Sequence, residues 1–283
     1  MQTALLFPGQ GSQTPDMRDL VEAARPDLLE LAIAEAGEDP FELVGSGTRF
    51  AQPALYCASV ASWAHAGSPG ADFVAGHSLG EIAALVAAGS IDAEDGLRLA
   101  ARRGIIMQQA AEQAPPGGML ALLGGDEAAR RVAAQQKLTV ANDNAPGQVV
   151  LSGPAERLEE AAALGKASGL KAVRLSVQGA FHTPAMRSAV PELEAVLAEI
   201  EVRAPAMPVL SSITTEPFDD VRARLAEALV RPVQWRQTLI ALHRAGVRRF
   251  LDAGPGKVLR GLARRTLDGI EAATLAEVQT AHA

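Results

Sequence analysis

Residues 71–85, ADFVAGHSLGEIAAL, contain the pattern that decides the fold. The run Ala71–Ala75 is short and apolar, which predicts a buried strand, and Glu81–Ala88 is rich in Ala, Leu and Ile, which predicts a helix. Between them stands Gly-His-Ser-Leu-Gly, a Gly-x-Ser-x-Gly turn. A strand, a sharp turn and a helix in this order indicate an α/β core.

The serine of this turn, Ser78, is a candidate nucleophile. In a nucleophile elbow the serine occupies a strained turn, and the two glycines let neighbouring backbone pass without a Cβ clash. The backbone N–H of Leu79 can then donate to an oxyanion at the positive end of the following helix. The alternative is a tight turn with an incidental serine. The flanking strand and helix favour the functional interpretation.

A serine hydroxyl needs a base, and histidine is the usual one. Four of the chain's five histidines lie at the end of the sequence, in a stretch of small residues, near a helix C-terminus or beside the serine: His282, His65, His243 and His77. The last of these is expected to buttress the elbow. His182 remains, at the point where the chain leaves a small unit and re-enters a larger one, which would place it at the cleft between the two. A histidine satisfied by backbone groups is an equally supported alternative.

Composition excludes several classes of function. Hydrophobic residues make up 48% of the 283, which is enough for a large globular core, and 26 Lys+Arg against 33 Asp+Glu argue against nucleic acid as the main partner. The single cysteine, Cys57, rules out an intrachain disulfide, and the chain has no Cys/His cluster at metal-ligand spacing. No segment has the pattern of a signal peptide or a membrane span, so we expect a cytoplasmic protein.

Two basic groups stand out against the acidic total, and either could meet an acidic protein or a phosphate. One consists of Arg102 and Arg103, and the other lies near the C-terminal end: Lys257, Arg260, Arg264 and Arg265. A solvated helix face is the alternative.

The order of elements predicts two units. Residues 117–184 show short strand-like runs and two helical stretches in the order strand, helix, strand, strand, helix, strand, which is typical of a ferredoxin-like unit. Residues 1–116 and 185–283 flank it with α/β pattern. We therefore predict an α/β fold: a large α/β-hydrolase-like domain with a parallel sheet, and an inserted small ferredoxin-like (α+β) subdomain.

The chain resembles a known family, the malonyl-CoA:acyl carrier protein transacylases and the acyltransferase domains of polyketide and fatty acid synthases. The resemblance covers almost the whole chain and rests on seven ordered motifs: Phe7–Gln13 (FPGQGSQ), Gly76–Glu81 (GHSLGE), Arg103–Gly104 with Met107–Gln108, Asn142–Gln148 (NDNAPGQ), Gly179–His182 (GAFH), Pro232–Trp235 (PVQW) and Gly254–Leu259 (GPGKVL).

By matching position, the resemblance implies a role for each of five residues. Ser78 would be the nucleophile and His182 the base. The backbone N–H groups of Gln10 and Leu79 would form the oxyanion hole. Arg103 would grip the free carboxylate of a malonyl group, because a planar fork of donors pairs bidentately with a carboxylate. A buried arginine with a purely structural partner is the alternative.

The resemblance also implies that three further residues contact substrate: Phe181, His77 and Asn144. Phe181 would fill the space that the branching methyl of methylmalonyl needs. The chain departs from the family at Ala228, where a glutamine often orients the histidine through its backbone carbonyl. A backbone carbonyl survives that change, so the same bond is expected here.

The activity that the resemblance implies is ping-pong transfer of malonyl from malonyl-CoA to the phosphopantetheine thiol of an acyl carrier protein, with no metal or redox cofactor. Three alternatives stay open. The chain could be a trans-acting acyltransferase for another acyl group in a polyketide pathway, an acyl hydrolase that removes stalled groups, or a non-catalytic docking subunit. The sequence does not choose between fatty acid and polyketide synthesis.

Overall fold

The computed structural model describes residues 1–177 and 179–280, so His282 lies outside the described residues. Within them, the strands form two separate sheets. The strands are β1 (Gln2–Phe7), β2 (Phe73–Gly76), β3 (Gly117–Leu123), β4 (Thr139–Ala145), β5 (Gln148–Pro154), β6 (Lys171–Arg174), β7 (Val209–Leu210), β8 (Val247–Asp252) and β9 (Glu271–Thr274).

The helices surround both sheets, and a 3₁₀ turn at Pro184–Ala189 precedes α8. They are α1 (Met17–Ala24), α2 (Pro26–Ala36), α3 (Thr48–His65), α4 (Gly80–Ala87), α5 (Ala93–Gln113), α6 (Asp126–Gln135), α7 (Ala155–Ala167), α8 (Val190–Glu199), α9 (Val221–Glu227), α10 (Trp235–Arg244), α11 (Val258–Thr266) and α12 (Leu275–Thr280). Among the described residues no helix is both long and apolar enough to cross a membrane.

The first sheet is parallel and has the order β7-β2-β1-β8-β9. Its central strand β1 is an apolar run whose last four residues, Ala4–Phe7, are completely or almost completely buried. Strands buried on both faces are expected to read as continuous apolar runs, which explains why the strand was visible in the sequence. The carboxyl ends of β1 and β2 lie side by side, and the Gly-x-Ser-x-Gly turn follows β2 there.

The second sheet is antiparallel, with the order β4-β5-β3-β6, and α6 and α7 pack against it. The order of strands and helices along the chain is the one that the sequence predicts for residues 117–184. The predicted fold class, a mixed α/β protein with a parallel sheet and a separate small unit, is confirmed. The exact boundaries of the two units stay a prediction.

The two sheets are joined by backbone hydrogen bonds as well as by a shared core. The N–H of Val233, just before α10, donates to the Ala141 carbonyl (2.8 Å), and the N–H of Asp143 donates to the Val233 carbonyl (2.9 Å). Apolar residues of β3 and β5, including Met119 and Val150, belong to the same buried cluster as β1. The small sheet is therefore held at a fixed place beside the Ser78 turn.

Helix α3 is the largest element that the sequence patterns did not reveal. It has 18 residues, 13 of them buried, so it lacks the alternation of polar and apolar faces that marks a surface helix. Pro53 lies inside it and removes a backbone donor. Packing against α1, α4 and α5 stabilises this helix instead of its own propensity.

We expect Gly80→Ala to destabilise the fold by about 3 kcal/mol or more. The added methyl group would clash with backbone atoms, and no flexible side chain could move aside to make room for it. A Cβ atom built on Gly80 would lie 2.0 Å from the Phe7 carbonyl oxygen and 2.9 Å from the Pro8 carbonyl oxygen. Urea unfolding, monitored by circular dichroism, measures the change in the free energy of unfolding.

The matched control is Gly261→Ala, at a glycine inside α11 where an added Cβ would have no neighbouring atom of the described residues within 4 Å. This substitution should stabilise the protein by about 0.5–1 kcal/mol, the ordinary helix preference for alanine. Equal stability of the two variants would contradict the packing argument.

Candidate active site

The turn that carries Ser78 has the geometry of a nucleophile elbow. Ser78 has φ +54°, a left-handed conformation that non-glycine residues rarely adopt. A Cβ on Gly76 would lie 2.1 Å from the Gly80 carbonyl carbon, and a Cβ on Gly80 would strike the end of β1. Both glycines are therefore required by close backbone approach, as the sequence pattern predicts.

His182 lies at hydrogen-bond distance from the serine. The Ser78 Oγ and His182 Nε2 atoms are 2.9 Å apart, and His182 Nδ1 lies 2.8 Å from the Ala228 carbonyl oxygen. A carbonyl can only accept, so the proton is on Nδ1 and Nε2 is free to accept the serine proton. Burial, reinforced by the positive charge of Arg103, lowers the pKa of His182 to about 3. The imidazole is thus a neutral base at neutral pH.

Arg103, on α5, points at the same serine. Its Nη2 donates to Ser78 Oγ (3.2 Å) and its Nη1 donates to Gln52 Oε1 (2.7 Å). The residue is 5% exposed, and burial lowers its pKa to about 10, against the opposing effect of the Glu81 charge. The guanidinium is therefore still charged at neutral pH. It forms no ion pair with any carboxylate in the described part of the chain.

A buried charge without a counter-ion is costly, because desolvation is not compensated. An arginine in these surroundings is suited to a ligand that supplies the negative partner. A carboxylate is the group that a planar guanidinium fork fits best.

Two further buried polar residues connect Arg103 to the loop after β1. Gln52 Nε2 donates to Thr48 Oγ1 (3.2 Å), and Thr48 Oγ1 donates to the side-chain oxygen of Gln10 (2.8 Å). Sequence reasoning missed both Gln52 and Thr48, because it assigned no helix there. Their spacing of four residues, which puts two side chains on one helical face, was the available signal.

The candidate oxyanion donors are two backbone N–H groups. Leu79 directly follows the serine, and the loop that carries Gln10 lies against the elbow, since a Cβ on Gly9 would be 2.5 Å from the His77 carbonyl oxygen. Neither the Gln10 N–H nor the Leu79 N–H donates to another group within residues 1–177 and 179–280. Both donors are therefore free to meet an oxygen that develops negative charge.

His77 and Asn144 form a contact between the two units. The Nε2–H of His77 donates to Asn144 Oδ1 (2.8 Å), and its ring packs against Trp235 with a centroid distance of 5.4 Å. Burial lowers the pKa of His77, with the Asn144 bond opposing part of that shift, so the ring is neutral. His77, which was expected to buttress the elbow, and Asn144, which was expected to contact substrate, are thus hydrogen-bonded to each other.

A cavity of about 600 Å³ opens beside these residues. Its lining includes Gln10, His77, Asn144 and Phe181, whereas Ser78, Arg103 and His182 do not line it. His77 adjoins Ser78 and Phe181 adjoins His182 in the chain, so the cavity lies next to the dyad. Cavities of this size accept small-molecule ligands.

Glu81 is the last residue of the GHSLGE motif, and the sequence pattern predicts no role for its side chain. Its carboxylate accepts a hydrogen bond from the Ser212 N–H (2.6 Å), and burial raises its pKa to about 7 against that bond. Glu81 ties the start of α4 to the segment after β7. In the part of the chain that the structure describes, no group of three or more His, Cys, Asp or Glu side chains could hold a metal ion.

Two curated proteins illustrate the relatives of this chain. It is 38% identical to the malonyl CoA-acyl carrier protein transacylase of Escherichia coli strain K12, over 98% of this chain and 96% of that protein. It is 41% identical to the polyketide biosynthesis protein ThaF of Burkholderia thailandensis, over 93% of this chain. The match spans only 24% of ThaF, about a quarter of that longer protein.

Solved structures with the same fold include the acyl-carrier-protein S-malonyltransferase from Burkholderia pseudomallei 1710b, with a TM-score of 0.89 and 34% identity over 99% of both chains. A malonyl-transacylase solved in complex with a type II polyketide synthase acyl-carrier protein has a TM-score of 0.86 and 35% identity, over 97% of this chain and 96% of that one. Residues 31–281 match the acyl transferase domain family. The chain therefore belongs to the acyl transferase domain family.

Proposed function

We propose that this protein transfers a malonyl group from CoA to the phosphopantetheine thiol of an acyl carrier protein, through an acyl ester on Ser78. The observation that carries the proposal is Arg103: a buried, charged guanidinium that has no ion-pair partner among the described residues and lies 3.2 Å from the candidate nucleophile. Malonyl has a carboxylate at the end opposite its thioester, so the group can occupy Arg103 while its carbonyl meets Ser78. The names of the relatives support the same acyl group and acceptor.

In the first half-reaction His182 Nε2 accepts the hydroxyl proton as Ser78 Oγ attacks the thioester carbonyl. The Gln10 and Leu79 N–H groups donate to the oxyanion. Collapse of the intermediate breaks the carbon–sulfur bond, the CoA thiolate takes the proton from His182, and malonyl-Ser78 remains. The carrier's thiol then attacks this ester by the reverse route, which returns the proton to Ser78.

A backbone carbonyl takes the place of a third catalytic carboxylate in this scheme. The Ala228 carbonyl accepts from His182 Nδ1–H and fixes the ring orientation. Since a carbonyl carries no full charge, it orients the ring without raising the basicity of Nε2 as a carboxylate would. The proposed chemistry needs no metal or redox cofactor.

The acceptor site is proposed at the mouth of the cavity. Val258, Leu259 and Leu262 of α11 line the cavity, and Lys257, Arg264 and Arg265 on the same segment are exposed. A basic face beside the entrance suits an acidic carrier protein. A reaction that uses CoA thioesters also supports the expected cytoplasmic location.

The decisive experiment is the intact mass of the protein after incubation with malonyl-CoA, followed by addition of a phosphopantetheinylated carrier. We expect a malonyl adduct on the unaltered protein, none on Ser78→Ala, and transfer of the adduct to the carrier. Rapid release of CoA without a carrier would instead identify an acyl hydrolase. Absence of any adduct would support a non-catalytic docking subunit.

We expect Arg103→Ala to lower the rate of malonyl-Ser78 formation by about 10²-fold or more, because a desolvated charge-assisted pair is lost. The rate of acylation by acetyl-CoA, which has no free carboxylate, should fall much less, so the acyl preference shifts towards uncharged groups. Single-turnover acylation with both donors measures the ratio.

The matched control for that variant is Arg102→Ala, since Arg102 is the exposed neighbour on the same helix. It should keep the malonyl preference of the unaltered protein. A malonyl preference that survives Arg103→Ala would refute the assigned role.

The acid limit of activity should lie far below the ordinary histidine pKa. Because burial and the Arg103 charge lower the pKa of His182 to about 3, the base stays neutral as pH falls and is lost only near the lowered value. We expect kcat/KM for the donor to show no acid limb near 6.5, the ordinary histidine pKa. Arg103→Ala removes one cause of the shift and should move the limb to higher pH. A limb centred near 6.5 in the unaltered protein would contradict this.

A further inference from the structure

Arg236, the second residue of α10, makes an unusual set of contacts across the two units. Its Nη1 and Nη2 donate to the two carboxylate oxygens of Asp126 on α6, at 2.9 and 2.8 Å. The Nη2 atom also lies 2.7 Å from Asp143 Oδ1 and donates to the Ala145 carbonyl (2.9 Å). One guanidinium of the parallel-sheet unit thus contacts three residues of the small unit.

This contact is much less exposed than the ordinary ion pairs of the surface. The Arg236, Asp143 and Asp126 side chains are 16%, 16% and 31% exposed, against 64% and 90% for the Arg131–Glu127 pair. Partly buried bidentate pairs hold a defined geometry, whereas exposed pairs contribute little. Arg236 also lowers the pKa of Asp126 by hydrogen bonding, so the carboxylate is charged at neutral pH.

We call the contacts of Arg236 with Asp126, Asp143 and Ala145 the Arg236 clamp, and two of these partners lie on β4 next to a residue of the cavity wall. Asp143 and Ala145 stand on either side of Asn144, and Asn144 Oδ1 accepts from the Nε2–H of His77. The backbone of Asp143 is also fixed, because its N–H donates to the Val233 carbonyl. Arg236 therefore holds the short stretch of β4 that carries the Asn144 side chain.

The residue before Arg236 acts on the same histidine from another side. The Trp235 ring is completely buried and packs against the His77 ring. The first turn of α10 thus restrains His77 twice, directly through Trp235 and indirectly through Arg236 and Asn144. His77 is the residue that precedes the nucleophile.

We propose that Arg236 is a positioning residue, which holds Asn144 against His77 and so sets the cavity wall and the elbow relative to each other. It contacts no reacting atom. Its effect on the reaction passes through Asn144, so removing Asn144 should abolish it. This inference rests on the proposed function for its kinetic readout only.

A double-mutant cycle tests the proposal. Arg236→Gln should lower kcat/KM for malonyl-CoA by roughly three- to tenfold, mainly through KM, in the range of coupling within one hydrogen-bond network. In an Asn144→Ala background the same substitution should have less than about a twofold effect. Arg236→Lys should restore part of the loss, because one charged donor is kept.

The matched control is Arg249→Gln, which removes an ion pair with Glu271 between β8 and β9. It should leave kcat/KM unchanged in both backgrounds. Equal losses for Arg236→Gln with and without Asn144 would overturn the proposal, and so would a lowered Tm with unchanged kinetics. If Arg236→Gln does not fold, Asp126→Asn opens the same clamp from the other side and is judged by the same criteria.

A readout without catalysis separates this inference from the proposed function. In ¹⁵N-histidine-labelled protein, the Nε2–H signal of His77 should shift or exchange faster in Arg236→Gln and stay unchanged in Arg249→Gln. An unchanged His77 signal in Arg236→Gln overturns the inference even if malonyl transfer is normal. Failure of Ser78 to acquire an acyl group would overturn the proposed function and leave the His77 result to decide the positioning role.

Discussion

The close approach between Gly80 and the backbone at the end of β1 is the constraint on which the rest of the site depends. With no side chain at Gly80, the start of α4 lies against the Phe7 carbonyl, and the loop after β1 is brought beside the elbow. That loop carries Gln10, while the elbow carries Ser78 and Leu79. A single steric condition therefore assembles the nucleophile and both candidate oxyanion donors, from segments about seventy residues apart in the sequence.

The electrostatics of the site follow from burial combined with incomplete pairing. Arg103 is charged and has no ion-pair partner in the part of the chain that the structure describes. His182 is kept neutral partly by that charge, and Glu81 is buried nearby with a raised pKa. A ligand carboxylate on Arg103 would offset the field that depresses the basicity of His182. The base would thus be strongest when the correct acyl group is present, which couples selectivity to reactivity through the charge of Arg103.

Much of this was readable from the sequence, because the responsible signals are local. The elbow at Ser78, the succession of strands and helices in the small unit and the apolar run of β1 each depend on a few neighbouring residues. The structure also brings His182, a histidine for which residue patterns alone supported two interpretations, to the serine.

Helix α3 was not readable, since a helix buried on most sides has no periodic contrast and owes its stability to distant partners. Gln52 lies on this helix, so it was not identified as a site residue either. Contacts such as Arg236 with Asp126, 110 positions apart, likewise depend on how two units pack, which no short pattern encodes.

Both residues of the dyad have left-handed backbone, φ +54° at Ser78 and +59° at His182, each at a cost of about 1 kcal/mol or more. The fold is thus not at its stability optimum where the chemistry is placed, and backbone strain at both residues accompanies the geometry that brings nucleophile and base together.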